Sequence, residues 1–195
     1  MAMKNPTKTY RLALIGVMTA ILCILGPLSI PLPFSPVPLS LTNFAILLAV
    51  FLLGWKWGTV SCGIYLLLGL VGVPVFSGFS GGMAKLLGPT GGYLVGFLLL
   101  AVISGLFVEK FEQARLPVAA GMALGMLVDY LFGTLWLAIL MKLSFGQALM
   151  MGVVPYLAGD AVKLILHCCW EAHCAAATSS ADSRLGKTAF MKHHA

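Results

Sequence analysis

Apolar runs long enough to form membrane helices alternate along the chain with short breaks rich in glycine, proline or charge. Six runs stand out, at residues 12–30, 39–53, 59–73, 93–108, 117–141 and 148–170. The first ends at Pro31-Leu32-Pro33-Phe34-Ser35-Pro36-Val37-Pro38, whose prolines predict an extended connection because proline cannot continue a helix. The second and third are parted by Gly54-Trp55-Lys56-Trp57-Gly58, in which tryptophans flanking a lysine suit a turn at the lipid headgroups. A glycine-rich stretch, 74–92, precedes the fourth run, and a mixed-charge linker, 109–116, follows it. The predicted fold is an all-α membrane bundle of six helices over 1–170, with a polar, basic tail at 171–195 expected to lack fixed structure.

Composition narrows the environment. Of the 195 residues 60% are hydrophobic and 9% charged, against about 25% charged in a soluble domain. The net charge of +6 is spread over segment ends and forms no dense patch, so nucleic acid is not an expected partner. Basic flanks of membrane helices account for it better. With the N-terminus inside, nine basic residues fall on the cytoplasmic side (Lys4, Lys8, Arg11, Lys56, Lys110, Arg115, Arg184, Lys187 and Lys192). Only Lys85 and Lys142 fall opposite. This bias predicts that both termini are cytoplasmic and that the proline-rich and glycine-rich connections share the outer face. The first apolar run exceeds signal-peptide length and reads as a membrane helix. Cysteines at 23, 62, 168, 169 and 174 show no disulfide spacing, and no internal repeat of an inverted transporter is evident.

Three ionisable residues interrupt the apolar runs: Asp129 in the fifth, and Asp160 and Lys163 in the sixth. Each charge at the centre of a membrane helix costs roughly 2.5–3.5 kcal/mol on insertion scales. Asp160 and Lys163, three apart, share a helix face and neutralise each other. An acceptor carboxylate beside a donor ammonium complements a cyclic urea, and it equally well makes a structural ion pair. Asp129 has no cation at helical spacing, so a protonated state or a bond to a neighbouring helix would serve it.

Gly88-Pro89-Thr90-Gly91-Gly92-Tyr93 opens the fourth run. Glycine-rich backbone at a helix N-terminus offers amide N–H groups and a positive dipole end to a carboxylate, with Lys85 close by. A plain membrane re-entry turn has the same shape. Two further patterns carry less. Residues 181–188 resemble a phosphate loop but have no following helix of useful length. The stretch 167–174 holds zinc-type ligands on two different helix faces, which disfavours one tetrahedral site. No cofactor or metal is expected. Finally, Ala13, Gly16 and Ala20 form a small-residue face on the first helix, open either to internal packing or to a partner subunit.

Three stretches in order resemble the BioY family, the biotin-specific substrate-binding (S) components of energy-coupling-factor transporters. They are 30–39 (Ile-Pro-Leu-Pro-Phe-Ser-Pro-Val-Pro-Leu), 69–76 leading into 88–97, and Pro155-Tyr156-Leu157-Ala158-Gly159-Asp160-Ala161-Val162-Lys163. The resemblance implies a cytoplasmic-membrane protein that holds biotin near the outer surface under the connections after the first and third helices. It implies that Asp160 and Lys163 contact the ureido ring, with Tyr156 and the Gly88–Tyr93 element beside the ligand. It also implies that the first-helix small face docks on a transmembrane coupling protein driven by two ATPase subunits. Two departures stand out: Ser40-Leu41-Thr42-Asn43 where Thr-Leu-Gln-Thr is usual, and Asp129 where an apolar residue is usual. An S component for another vitamin or a lipoate-like solute is the neighbouring alternative. A membrane enzyme fits poorly, because His167, His173, His193 and His194 all fall at the C-terminal end and leave the bundle without a base.

Overall fold

A computed structural model describes residues 8–33, 35–111 and 114–154 and, within them, every side chain except those of Leu32, Leu39 and Arg115. Most of the sixth apolar run, including Tyr156, Asp160 and Lys163, lies outside the described residues, as do the 167–174 and 181–188 patterns and the tail.

Helix α1 (Lys8–Leu25) is shorter than the first apolar run. It stops because Gly26-Pro27 follows: the Gly26 N–H still donates to the Leu22 carbonyl (2.8 Å), but proline has no N–H to continue the ladder. A Cβ on Gly26 would lie 2.6 Å from both the Tyr65 hydroxyl and the Val75 carbonyl, so only glycine fits this exit. The residues expected to finish the helix instead begin an antiparallel hairpin, β1 (Ser29–Leu32) and β2 (Ser35–Ser40). Prolines survive there because a two-stranded ribbon leaves one edge of each strand unpaired, so missing N–H groups need break no bond.

Helix α2 (Thr42–Val71) is continuous by its hydrogen bonds but breaks at Gly54, which has φ 79° and ψ 175°. A Cβ on Gly58 would come 2.7 Å from the Val50 Cα, whereas eight residues of straight helix span about 12 Å. The chain therefore doubles back at Gly54, where the tryptophan-lysine turn was expected. Arg11 at the start of α1 lies 5.9 Å from the Trp57 ring, and Lys56 lies 5.5 Å from Trp55, which gathers basic and aromatic groups at this end. The second arm of α2 packs on α1, and the Thr19 and Ser61 hydroxyls are 3.0 Å apart across that contact.

A short helix, α3 (Met83–Leu87), lies within the glycine-rich stretch and precedes α4 (Gly91–Lys110) and α5 (Arg115–Met141). The α4–α5 seam is built on small residues at four-residue spacing. Gly121 takes the Phe107 side chain, Gly125 faces Leu100 and Ser104, Gly133 takes the Tyr93 ring, and Gly96 faces Asp129. A left-handed Lys142 closes α5, and α6 (Phe145–Gly152) starts from a Ser144–Gln147 capping box. Among the described residues, four helices are long and apolar enough to cross a membrane: α1, α2, α4 and α5. Exposed Leu12, Leu67, Leu127 and Ile139 on their outer faces suit hydrocarbon rather than water. The molecule is a predominantly helical, multi-pass membrane protein.

Candidate functional site

Three connections converge at the end of the bundle where α1 and α5 finish. The hairpin is tied to the stretch after α2 by the Gly78 N–H, which donates to the Pro27 carbonyl at 3.1 Å. The Tyr65 hydroxyl donates to the Val75 carbonyl (3.1 Å), and Phe76 meets the Tyr65 ring edge-on at 5.7 Å while seating over Gly69. The Gly82 N–H then returns to the Gly69 carbonyl (2.6 Å) and delivers the chain into α3. On the other side, the Ser35 hydroxyl at the tip of the hairpin donates to the Met151 carbonyl of α6 (2.8 Å).

The Gly88–Tyr93 element is fixed from both flanks. The Trp136 indole N–H, from α5, donates to the Gly88 carbonyl at 3.0 Å. Gly91 leaves no room for a Cβ against the Leu86 carbonyl, and Gly92 none against Trp136. Both glycines therefore have a packing reason, close helix approach, beside any role toward an anion. The Tyr93 hydroxyl donates to the Gly152 carbonyl at 3.0 Å and holds α4 to α6 just before Pro155-Tyr156. Thr90 is buried, and its hydroxyl has no hydrogen-bond partner among the described residues.

Lys85 stands half-buried on α3, and partial burial holds its ammonium below the usual lysine range because desolvation disfavours the charged form. Lys85, Gly88, Thr90, Gly91, Gly92 and Tyr93 thus belong to one tightly tied connection. That connection combines a cation with a helix N-terminus, whose Gly91 N–H donates to the Gly88 carbonyl (3.0 Å) and whose Gly91 and Gly92 are buried against Leu86 and Trp136. Tyr156, Asp160 and Lys163 lie outside the described residues, so their side chains are not part of this geometry.

The structure adds residues that spacing did not single out. Trp136 pins the glycine-rich turn across 48 residues of sequence. In mid-α5, Asp129 and Thr134 are 0% exposed and Tyr130 is 7% exposed. Asp129 sits in the seam over Gly96, which explains how a helix can carry a carboxylate where bulk would be expected. The small face of α1 points outward: Ala13, Gly16 and Ala20 are exposed, and nothing lies within 4 Å of a Cβ built on Gly16. A groove of about 270 Å³ beside α3 is lined by Leu66, Leu70, Phe76, Leu86, Leu94 and Leu98. Its wholly apolar wall suits an acyl chain and offers nothing to a polar head. Among the described residues no three His, Cys, Asp or Glu side chains gather as metal ligands.

Comparison with known proteins gives a consistent picture. The model of the BioY family matches residues 2–179. The Biotin transporter BioY of Thermotoga maritima is 40% identical over 151 residues, covering 77% of this chain and 87% of that protein. The Probable biotin transporter BioY of Pyrococcus horikoshii is 38% identical over 156 residues, covering 80% and 90%. The crystal structure of the S-component for biotin from an ECF-type ABC transporter superposes with a TM-score of 0.78 at 36% identity, covering 86% of this chain and 91% of that one.

Proposed function

The chain belongs to the BioY family, and from that premise we propose that it is the biotin-binding S component of an energy-coupling-factor uptake transporter and not an enzyme. The observation that carries this is the shared fold with a biotin S-component over 86% of the chain. Biotin has three chemical parts, and the chain offers a counterpart to each polar one. Asp160 and Lys163 complement the ureido ring, Tyr156 lies four residues before that pair, and the turn from Gly88 to Tyr93 with Lys85 receives the valerate carboxylate. The apolar middle of the ligand then packs against the bundle end.

The sixth helix completes the bundle over 1–170, ahead of the tail at 171–195, and both termini face the cytoplasm of a cell whose inner membrane holds the protein. Nine basic residues against two support that orientation, which puts the three converging connections on the outer face. A transmembrane coupling protein and two ATPases are the partners, with lipid around the remaining surface, and no nucleic acid takes part.

The direct test is thermal. Biotin should raise the melting temperature of the detergent-solubilised full chain, whereas lipoate and thiamine at the same concentration should not. Absence of any biotin shift in folded protein overturns the reading.

Lys85 gives a second test with a defined sign. A carboxylate needs the charged ammonium, so affinity is complete well below the Lys85 pKa and declines as pH rises through it. Because burial lowers that pKa, the decline should begin at a lower pH than an exposed lysine would give. Lys85→Ala should weaken biotin about tenfold at neutral pH, and Lys85→Arg should keep affinity at alkaline pH where the parent loses it. A flat parent profile removes Lys85 from the site.

Docking is testable apart from binding. Gly16→Leu adds bulk to an exposed position with open space around it. It should leave biotin affinity and melting temperature unchanged yet abolish co-purification with the coupling protein. Normal assembly of Gly16→Leu moves the docking face elsewhere.

A further inference from the structure

Helix α3 is too short to persist by itself, since isolated helices need about 12 residues or more. It has five, and none of their side chains is fully buried. Backbone ties hold the chain at both of its ends: the Gly82 N–H donates to the Gly69 carbonyl (2.6 Å), and the Gly88 carbonyl accepts from the Trp136 indole (3.0 Å). Between those ties Met83 and Leu87 are exposed, while Leu86 lines the apolar groove of about 270 Å³. The helix that carries Lys85 therefore lies along the groove.

The groove follows the membrane spans. Gly63, Leu66, Leu67 and Leu70 recur at helical spacing on the second arm of α2, a stripe about 10 Å long. Leu94, Val95 and Leu98 of α4 form the other wall. Phe76 seats over Gly69, so it and Leu86 mark the end nearest α3. All these side chains are apolar, so water finds none of the polar partners it needs. The groove is continuous with surface that faces hydrocarbon: Leu67 is 62% and Val95 40% exposed, and both stand in helices able to cross a membrane. It also lies on the flank of α4 away from α6. Tyr93, which holds α6 through the Gly152 carbonyl, points into the α5 seam at Gly133. At about 100° per residue, Leu94, Val95 and Leu98 centre about 150° round α4 from it. A groove of this size and chemistry takes a hydrocarbon chain and no headgroup.

We propose that the groove is a binding site for one acyl chain of a membrane phospholipid, which braces α3 through Leu86 and so steadies the turn from Lys85 to Gly88. Hydrocarbon packed against Leu86 adds dispersion contact to a helix whose own residues supply little. Lys85 neighbours Leu86 and Gly88 follows, so the brace acts on the connection that receives biotin. That consequence rests on the reading of the chain as a biotin-binding subunit, whereas the lipid site does not.

The test reads the lipid directly. The full chain, stripped of lipid in dodecyl maltoside and given palmitoyl-oleoyl-phosphatidylcholine, should hold one lipid per chain in native mass spectrometry. Leu67→Trp and Val95→Trp place bulk at the opening, on exposed positions that tolerate it, and each should lower that occupancy about tenfold. Ile139→Trp places the same bulk on a lipid-facing position of α5, 78% exposed, and should keep the lipid. In nanodiscs of the same lipid, amide exchange over residues 83–88 should speed up about tenfold in the two groove variants and stay unchanged in Ile139→Trp. Biotin affinity should fall with it, about threefold or more. Equal lipid occupancy in all four proteins overturns the site, because the lipid would then be scattered over the surface. A parent that holds no lipid overturns it too: as a dimer it gives the groove to a second copy, as a monomer to the chain itself. Lipid loss with unchanged exchange at 83–88, or with unchanged biotin affinity, overturns the brace. If the parent binds no biotin while the lipid and exchange results hold, the uptake reading fails and the lipid site stands. If the parent binds biotin and the groove variants match it in lipid occupancy, this inference alone fails.

Discussion

Replacing either Asp160 or Lys163 with alanine is expected to lower biotin affinity by about two to three orders of magnitude, the largest effect of any single change. The reason is twofold. On the proposed site, each variant would remove hydrogen bonds to the ureido ring and would leave the other charge uncompensated in a bundle surrounded by lipid. The second contribution acts on the fold too, so both single variants should melt lower than the parent without ligand. Asp160→Ala combined with Lys163→Ala separates the two contributions. With both charges gone, the ligand-free melting temperature should recover, while biotin affinity stays as low as in the single variants. Isothermal titration and thermal melts in one detergent measure both. A double variant that recovers biotin affinity would make the pair a helix-packing device and take it out of the site.

Hydrophobic patterning revealed the membrane setting and most helices because hydrocarbon leaves the backbone few options. The break at Gly54 was legible for the same reason, since glycines flanking Trp55-Lys56-Trp57 mark both a turn and a headgroup level. The early end of α1 was less so: residues 26–30 carry one polar side chain, Ser29, and hydropathy does not distinguish a helix from a strand that begins after Gly26-Pro27. Four prolines ruled out a helix but not a hairpin, because strand register depends on a partner and not on local propensity. At the site, the position of Gly88–Tyr93 could be read locally, but its hold on Trp136 could not, because that contact is tertiary.

The second large effect concerns the seam that holds the glycine-rich turn in place. Gly92→Val should destabilise the protein by about 3 kcal/mol or more, the upper end for overpacking, because the obstacles are mostly backbone and root atoms. A Cβ at position 92 overlaps the base of the Trp136 side chain and approaches the Gly133 Cα to 3.1 Å. No rotamer change relieves either contact, so α4 and α5 must separate. Separation breaks the bond from the Trp136 indole to the Gly88 carbonyl and draws the Tyr93 hydroxyl from the Gly152 carbonyl. Both ties position the turn that carries Thr90 and follows Lys85. Biotin binding should therefore fail along with the melting temperature, although residue 92 brings no side chain to the ligand. Gly63→Val is the control, since nothing lies within 4 Å of a Cβ there and the position faces the apolar groove. It should change neither quantity. An unaltered melting temperature in Gly92→Val would refute the packing account. Loss of biotin at an unaltered melting temperature would return the glycine pair to direct contact with the carboxylate.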